Sequence, residues 1–515
     1  MEPSAEKEAF RQAAVTWIRK QASLFADVED PRFLGTAAWI YAIGSELLLR
    51  HPDVEEQDLK PAASLQAMAA RLGRLRGDLS PLHLYCELTE ALLTLEAALD
   101  PKRDAQVLER PCQLAPTLEG CSHLFGGQVR FWLRPKSVLA SERSSRYRQA
   151  KGSRRPPAPR MRIQDNLLRL SIFWERTSVP RLIRPSFEGR RAIPIIERSG
   201  KDAVEGSFRI ALCPLPSDLH PLFQIDDRGR YFRALGVNDP EKLKACLDAV
   251  IKEAEDKEVH LVVLPELMVP LRAREALSKR LSKRSKQWPY AVLAGSFHLP
   301  ADSRTIEALP FNESCLLGHR GRPLLRHHKQ TGFRLRRSEI RAEFFSGGPS
   351  GDGAPEEIYE GIQDGSELAI LDTTLGRLAV VICFDAIALD PEHGFEGLIQ
   401  RVRPDILFVI SMSPKTQPFE ATFKRMASHW VGTFYVNAHC ACRPVEDSPE
   451  KSPLLACCDL ALLEPDGAAP TRVLWRVGQD KAQCLYYSPR TRPNRTGVEV
   501  DPTLGLVLDL GVHLK

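Results

Sequence analysis

Three reactive side chains stand at the ends of apolar, strand-like segments in the second half of this 515-residue chain. The segment LAVVIC ends in Cys383, LVVLPE ends in Glu266, and LLRHHK ends in Lys329. In α/β sheets, functional groups gather where strands finish and loops begin. The sequence therefore predicts that a thiol, a carboxylate and an ammonium lie in one pocket.

These three groups suit nucleophilic attack on a carbonyl or nitrile carbon. A thiol with an ordinary pKa of about 8.5 is mostly protonated at neutral pH, so a carboxylate that accepts its proton makes it a nucleophile. An ammonium group stabilises the oxyanion that forms in the attack. Because protein groups supply every role, we expect neither a metal nor an organic cofactor.

The region from residue 207 to the C-terminus alternates short β-rich runs with helical segments, which is typical of a layered α/β domain. Most of the runs are apolar throughout, so both faces of each strand are predicted to be covered. A helix is predicted over 240–257, with Asp239 as its N-cap and Pro240 at its first position. The predicted strands are FRIALCPL, VHLVVLPE, YAVLAGSFH, ESCLLG, ELAILDT, RLAVVICF, DILFVIS, TFYVNAHC, LALLEP and RVLWRV.

Residues 6–100 show a helical pattern instead, with apolar residues three and four positions apart, and a region of mixed character follows to about residue 205. Pro61 and Pro81 are predicted to begin helices, because proline is tolerated in a first turn. Residues 141–162 carry eight Lys or Arg against one Glu, with three prolines, which predicts a flexible linker. We thus expect a mainly helical domain over 1–140, a basic linker and connecting segment over 141–206, and an α/β domain over 207–515.

Composition excludes several classes of protein. No apolar run reaches the roughly 18 residues of a membrane span, and the first residues lack the pattern of a secretory signal. Twelve dispersed cysteines favour reduced thiols, so a cytoplasmic location is expected. The group HCAC at 439–442 lacks the usual spacing of a zinc site, and no metal is predicted there. A net charge of +5 does not by itself imply nucleic acid, although the segment 141–162 offers non-specific contacts to phosphate or to a protein.

In their order along the chain, these motifs resemble the carbon–nitrogen hydrolase (nitrilase) superfamily. The resemblance extends from Ser207 to Pro489 and includes RIALCPLPS, LVVLPE, LAGSFH, FNESCLLGHRGRPLLRHHK, LDTTLGRLAVVICFD and DILFVISMSP. It implies a four-layer α-β-β-α sandwich after the helical N-terminal domain, and a homodimer built on the helical face.

The resemblance also implies a role for each reactive residue. Glu266 would be the general base and Cys383 the nucleophile that forms a thioester. Lys329 and the backbone N–H of Phe384 would stabilise the oxyanion.

Many members of the superfamily carry a second glutamate between the lysine and the cysteine. Here Glu339 is our prediction, and Glu343 stays open as the alternative. Asp385 and Asn437 are predicted near the substrate pocket, although Asp385 equally suits a structural bond to nearby backbone and Asn437 suits a cap on a turn.

The function expected from the resemblance is hydrolysis of a small-molecule amide at a non-peptide C–N bond. One alternative is transfer of the acyl group from the same thioester to an amine. The other is a non-catalytic nitrilase-like module whose N-terminal region binds protein or nucleic acid. The loops that select the substrate, such as residues 332–366, do not reveal its identity.

Overall fold

The contacts of the chain divide it into two compact units, Met1–Ile183 and Arg184–Lys515. This division falls within the segment 141–206 that we predicted to connect two domains. The structure is a computed structural model, and it describes residues 3–26, 32–50, 59–99, 112–114, 129–135, 137, 139–140, 167, 170–176, 182–186, 196–198, 204–284, 288–299, 309–348, 355–387, 404–428, 431–442, 452–460, 471–477, 483–485 and 496–514.

The first unit contains four α-helices within its described residues, in agreement with the predicted helical character. They are α1 (Pro3–Gln21), α2 (Phe33–Arg50), α3 (Leu65–Leu72) and α4 (Pro81–Ala98). Pro81 begins α4 as predicted, and Ser80 caps it by accepting a hydrogen bond from the His83 N–H. The prediction for Pro61 is wrong, because α3 begins at Leu65 and its cap is Ser64.

A three-stranded antiparallel sheet also belongs to the first unit. Its strands are β1 (Cys112–Leu114), β2 (Val129–Pro135) and β3 (Leu170–Arg176), in that spatial order. No strand was predicted in this region, and β3 lies in the segment 141–206 that we expected to be a connection. The basic segment 141–162 lies outside the described residues.

The described residues of the second unit form three sheets and three α-helices, and its first strand begins two residues before the boundary at Arg184. The helices are α5 (Pro240–Asp256), α6 (Leu271–Ser282) and α7 (Gln417–Ser428). The strands are β4 (Leu182–Ser186), β5 (Ile196–Arg198), β6 (Val204–Leu212), β7 (Pro221–Ile225), β8 (Tyr231–Val237), β9 (Leu261–Val263), β10 (Ala291–Leu299), β11 (Phe311–Gly318), β12 (Pro323–His328), β13 (Arg334–Arg336), β14 (Phe345–Gly347), β15 (Glu357–Glu360), β16 (Glu367–Asp372), β17 (Arg377–Ile382), β18 (Ile406–Ser411), β19 (Gly432–Asn437), β20 (Leu454–Leu460), β21 (Thr471–Arg476), β22 (Gln483–Leu485), β23 (Thr496–Asp501) and β24 (Gly505–Leu514).

The first large sheet has the order β12-β11-β10-β9-β6-β24-β23, with β5 paired to β6. Ala211, Val262 and Val292 lie side by side on β6, β9 and β10, and they share a core cluster with Leu243 and Leu247 of α5. Because alternate residues of a strand face opposite sides, this row places α5 on one face of the sheet. Asp239 caps α5 as predicted, by accepting a hydrogen bond from the Lys242 N–H at 2.9 Å.

The second large sheet has the order β22-β21-β20-β19-β18-β17-β16-β4. Helix α7 packs on it through Phe419 and Phe423, whose rings lie 5.4 and 5.2 Å from the ring of Tyr435 on β19. The two sheets contact each other where β12 meets β16 and β17, and where β19 meets β6. The layers are therefore helix, sheet, sheet and helix, and the predicted α-β-β-α sandwich is confirmed.

A smaller sheet of five strands, with the order β13-β15-β8-β7-β14, was not predicted. Its inner side contributes Phe223, Phe232 and Ala234 to the core of the first large sheet. Of the predicted strand LALLEP, Leu460 is the last residue of β20, and residues 461–465 lie outside the described part of the chain. No helix in the described part of the chain combines the length and the apolar character needed to span a bilayer.

Candidate active site

The three residues chosen from the sequence lie at strand ends of the two large sheets. Strands β9 and β10 are parallel, and β11 and β12 each reverse direction, so β9 and β12 point toward the same edge. Glu266 follows β9 and Lys329 follows β12 at that edge. Cys383 follows β17 of the facing sheet, which contacts β12.

Lys329 joins two carboxylates inside the protein. Its Nζ donates to Glu266 Oε1 at 2.8 Å and to Glu360 Oε2 at 2.6 Å, and the side chain is 1% exposed. Burial alone would lower the pKa of Lys329, but the two carboxylates and the neighbouring Cys383 outweigh it and raise the pKa well above its ordinary value. The ammonium is thus a fixed positive charge at neutral pH.

Glu266 is held by three donors from different elements. Its Oε1 accepts from Lys329 Nζ and from Asn312 Nδ2 at 3.1 Å, and its Oε2 accepts from the backbone N–H of Met412 at 3.0 Å. The backbone around it is tightly packed, since a Cβ on Gly295 would lie 2.1 Å from the carbonyl oxygen of Pro265. This glycine has a φ of +56°, so β10 can approach the residue before the carboxylate.

Cys383 occupies the sharp turn at which β17 passes into a short 3₁₀ turn. Its φ of +47° lies in the left-handed region, which is uncommon for a residue with a side chain and is concentrated at functional sites. Ser411 Oγ lies 3.4 Å from its sulfur. Burial and the Glu266 carboxylate raise the pKa of the thiol well above its ordinary value, although Lys329 acts in the opposite direction. The resting group is therefore a neutral thiol beside a carboxylate and an ammonium.

Asp385 joins the turn after Cys383 to the segment after Lys329. Its Oδ2 and Oδ1 accept the backbone N–H groups of Gln330 and Thr331, each at 2.9 Å. Burial raises the pKa of this carboxyl to about 7, against the lowering effect of those two N–H groups. Both oxygens are occupied by the backbone, so the contacts match the structural alternative for Asp385.

The side-chain amide of Asn437 is likewise hydrogen-bonded to backbone groups. Its Oδ1 accepts from the Ser413 N–H at 2.8 Å, and its Nδ2 donates to the carbonyls of Ser413 and Leu454 at 2.7 and 3.2 Å. The carboxamide joins the segment after β18 to the start of β20, and both N–H groups of its Nδ2 are already used. Phe384 follows the nucleophile candidate directly, and its ring lies 5.9 Å from that of Phe333.

The prediction of Glu339 as the second glutamate is wrong. Its carboxylate accepts from the Arg336 N–H within a 3₁₀ turn and pairs with the exposed Lys415. The alternative, Glu343, pairs with its neighbour Arg341 at the surface. Neither acid joins Lys329, and that position belongs to Glu360 at the end of β15.

Glu360 is surrounded by donors. Its Oε1 accepts from Asn312 Nδ2 at 2.8 Å and lies 2.9 Å from His298 Nε2. Its Oε2 accepts from Lys329 and from the Phe333 N–H at 2.9 Å. Burial would raise the pKa of Glu360, but the charge of Lys329 and the hydrogen bonds from His298 and Lys329 outweigh it and hold the pKa well below its ordinary range.

Three residues of this cluster were missed in the sequence, namely Glu360, His298 and Asn312. The last two stand inside motifs that we quoted for their strands, LAGSFH and FNESC, where alternation along the strand was the available signal. For Glu360 the signal was the pattern of EIYE, in which Ile358 and Glu360 share the buried face of β15 and Tyr359 is exposed.

Among known proteins, the chain is similar to several solved structures. No family model matches the sequence, and no curated protein matches it. Among solved structures, the C. elegans NitFhit protein is 16% identical over 60% of this chain and 61% of its own, with a TM-score of 0.33. An amidase from Nesterenkonia sp. is 14% identical over 61% of this chain and 94% of its own, with a TM-score of 0.32. A C145S mutant of Nesterenkonia AN1 amidase from the nitrilase superfamily is 14% identical, with coverage of 59% and 90% and a TM-score of 0.31.

These identities and scores are too low to carry an argument about activity. This chain also spans only about three fifths of the NitFhit protein. The geometry of the site must therefore support the function by itself.

Proposed function

We propose that the second unit is a carbon–nitrogen hydrolase of the amidase type, with Cys383 as its nucleophile. One observation carries the proposal: a buried ammonium, Lys329, bridges Glu266 and Glu360 beside a thiol held in a left-handed turn. Buried ion clusters are costly to form, and their concentration around a nucleophile is a feature of catalytic sites.

The first half-reaction follows from the protonation states. Because the thiol is neutral at rest, Glu266 must take its proton as the sulfur bonds to the amide carbon. Negative charge then develops on the amide oxygen, where Lys329 and the N–H of Phe384 stabilise it. When the C–N bond breaks, the proton passes from Glu266 to the leaving nitrogen, which departs as ammonia or an amine and leaves a thioester on Cys383.

The second half-reaction returns the enzyme to its resting state. Glu266, again a carboxylate, takes a proton from water as the water oxygen bonds to the thioester carbon. The oxyanion forms in the same position, and its collapse breaks the C–S bond. The proton on Glu266 returns to the sulfur, and the carboxylic acid is released.

Glu360 has a supporting role in this scheme. Its Oε2 accepts a second hydrogen bond from Lys329 Nζ, so the ammonium is shared between Glu360 and the base Glu266. Glu360 remains charged because its pKa is lowered, and it therefore does not compete with Glu266 for the thiol proton.

Ammonia release from a panel of small aliphatic and aromatic amides tests the proposal. We expect the full chain to turn over at least one of them and Cys383→Ala to abolish the turnover. Cys315→Ala is the matched control, because Cys315 is also a buried thiol of the same unit but lies on β11, outside the cluster. Turnover that survives Cys383→Ala would contradict the proposal. A panel with no turnover and no labelling of Cys383 would favour the binding-module alternative.

The acyl-transfer alternative is separated by adding hydroxylamine as a competing acceptor. A hydrolase releases the free acid in water alone, and hydroxylamine diverts only part of the product to hydroxamate. An acyltransferase holds its thioester in water and forms product only when the amine acceptor is present. The predicted homodimer and the contacts of segment 141–162 remain proposals that these assays do not address.

A further inference from the structure

His298 lies between the catalytic candidates and the five-stranded sheet. It stands on β10, its side chain is 1% exposed, and each ring nitrogen has a partner from a different strand. The backbone N–H of Ala234 on β8 donates to Nδ1 at 2.8 Å, and Nε2 lies 2.9 Å from Glu360 Oε1.

These two contacts fix the protonation of the ring. A backbone N–H can only donate, so Nδ1 of His298 must accept and carries no proton. A neutral imidazole has one proton, which therefore lies on Nε2 and is donated to Glu360. A cationic ring is excluded in this arrangement, because it would place a second N–H against that of Ala234.

A neutral His298 donates a hydrogen bond to Glu360 without adding charge to the cluster. The groups in contact are then one ammonium, Lys329, and two carboxylates, Glu266 and Glu360. A histidine cation would bond to Glu360 more strongly and would add positive charge near Glu266, which makes a carboxylate a weaker base. The neutral ring instead fixes Oε1 of Glu360 and leaves Oε2 for the ammonium.

We propose that His298 is a positioning residue that acts through Glu360 to hold Lys329 in place, as a neutral ring with its proton fixed on Nε2 by Ala234. The inference rests on the proposed function only for its effect on turnover. Strand β8 would then help to position the site through the Ala234 N–H, although it contributes no group to the chemistry.

Two substitutions of His298 separate the effect of its hydrogen-bond donor from the effect of its side-chain volume. His298→Leu removes the bond to Glu360, and His298→Gln keeps an N–H donor of similar reach. We expect the leucine variant to lower kcat about 10- to 100-fold with little change in KM, as for other losses of groups that orient a catalytic residue. The glutamine variant should recover much of that loss.

His260→Gln is the matched control. His260 is buried just before β9 of the same sheet, and its Nδ1 also accepts a backbone N–H, that of Arg209 at 3.0 Å, but its ring packs against Phe208 and Trp288. This variant should keep the kcat of the wild type. Equal losses in the leucine and glutamine variants of His298, or a loss only in KM, would overturn the positioning role.

A measurement on the ring keeps the test independent of activity. Imidazole ¹H–¹⁵N spectra of the full chain labelled at histidine, compared with those of His298→Gln, identify the His298 signals. We expect one protonated nitrogen, Nε2, at pH 7. A ring protonated on both nitrogens, or on Nδ1 alone, would overturn the inference even if amide turnover were established. Absence of turnover with an Nε2–H ring would contradict the proposed function and not the tautomer.

Discussion

Replacing Glu360 by glutamine tests whether the stability of the buried ion cluster depends on all of its hydrogen bonds. The two oxygens of Glu360 face four donors: His298 and Asn312 at Oε1, and Lys329 and the Phe333 N–H at Oε2. Glutamine has one oxygen and one NH₂ group, so two of these donors would face another donor. The substitution also leaves Lys329 with a single carboxylate.

The magnitude follows from these contacts. Leaving a buried donor without its acceptor costs about 1–3 kcal/mol, so two of them cost about 2–6 kcal/mol. Lys329 keeps its ion pair with Glu266, so the lost acceptors dominate the cost. We therefore expect Glu360→Gln to lower the free energy of unfolding of the second unit by about 2–6 kcal/mol.

Glu339→Gln is the matched control, since Glu339 was the acid preferred from the sequence. Its partner Lys415 is 69% exposed, and surface pairs of this kind contribute about 0–1 kcal/mol. Pulse alkylation of the buried Cys315 along a urea gradient reports unfolding of the second unit alone, which avoids the signal of the first. If Glu360→Gln is within about 1 kcal/mol of Glu339→Gln, the reasoning about the cluster is refuted.

Three further predictions concern single groups of the site. Gly295→Ala should destabilise the second unit by at least about 2 kcal/mol, because its Cβ would meet the Pro265 carbonyl at a positive φ, whereas Gly236→Ala, with no atom within 4 Å, should have little effect in the same urea assay. Alkylation of Cys383 by iodoacetamide should accelerate with pH throughout the range from about 6 to 9, because the thiol pKa is raised; a plateau below pH 8 would show a preformed thiolate. The Asp385 carboxyl, whose pKa is raised to about 7 from about 3.9 in an unfolded chain, holds its proton more tightly when folded, so its contribution to stability is present at acid pH and is lost as pH rises from about 4 to 7. The unfolding free energy of the wild type minus that of Asp385→Asn should fall over this interval, and a difference that rises with pH would be inconsistent with the raised pKa.

The sequence was informative wherever local rules determine the structure. Asp239 and Pro240 defined the start of α5, and apolar runs located the central strands of both large sheets. Glu266, Lys329 and Cys383 were chosen because strand ends in a layered α/β fold are places where chemistry is concentrated, and Lys329 does contact Glu266 directly.

Glu360, the second carboxylate that bonds to Lys329, could not be predicted from strand ends. Glu360 reaches Lys329 because β15 pairs with β8 and β13, and such pairing between distant segments leaves little local signal. Glu339, which was our prediction, instead stabilises a 3₁₀ turn. The alternation in EIYE was the available signal, because it places Glu360 on the same strand face as the buried Ile358. A buried carboxylate requires a buried partner.

Mass mapping of the acyl group is the most direct test of the central claim that the thiol of Cys383 attacks amides. The full chain is mixed with an amide that it turns over, quenched in acid and digested, and the mass of each cysteine peptide is measured. We expect an added acyl group on the peptide containing Cys383, and no such group in Cys383→Ala. An acyl group on another cysteine, or turnover with no acylated peptide at any time point, would contradict it.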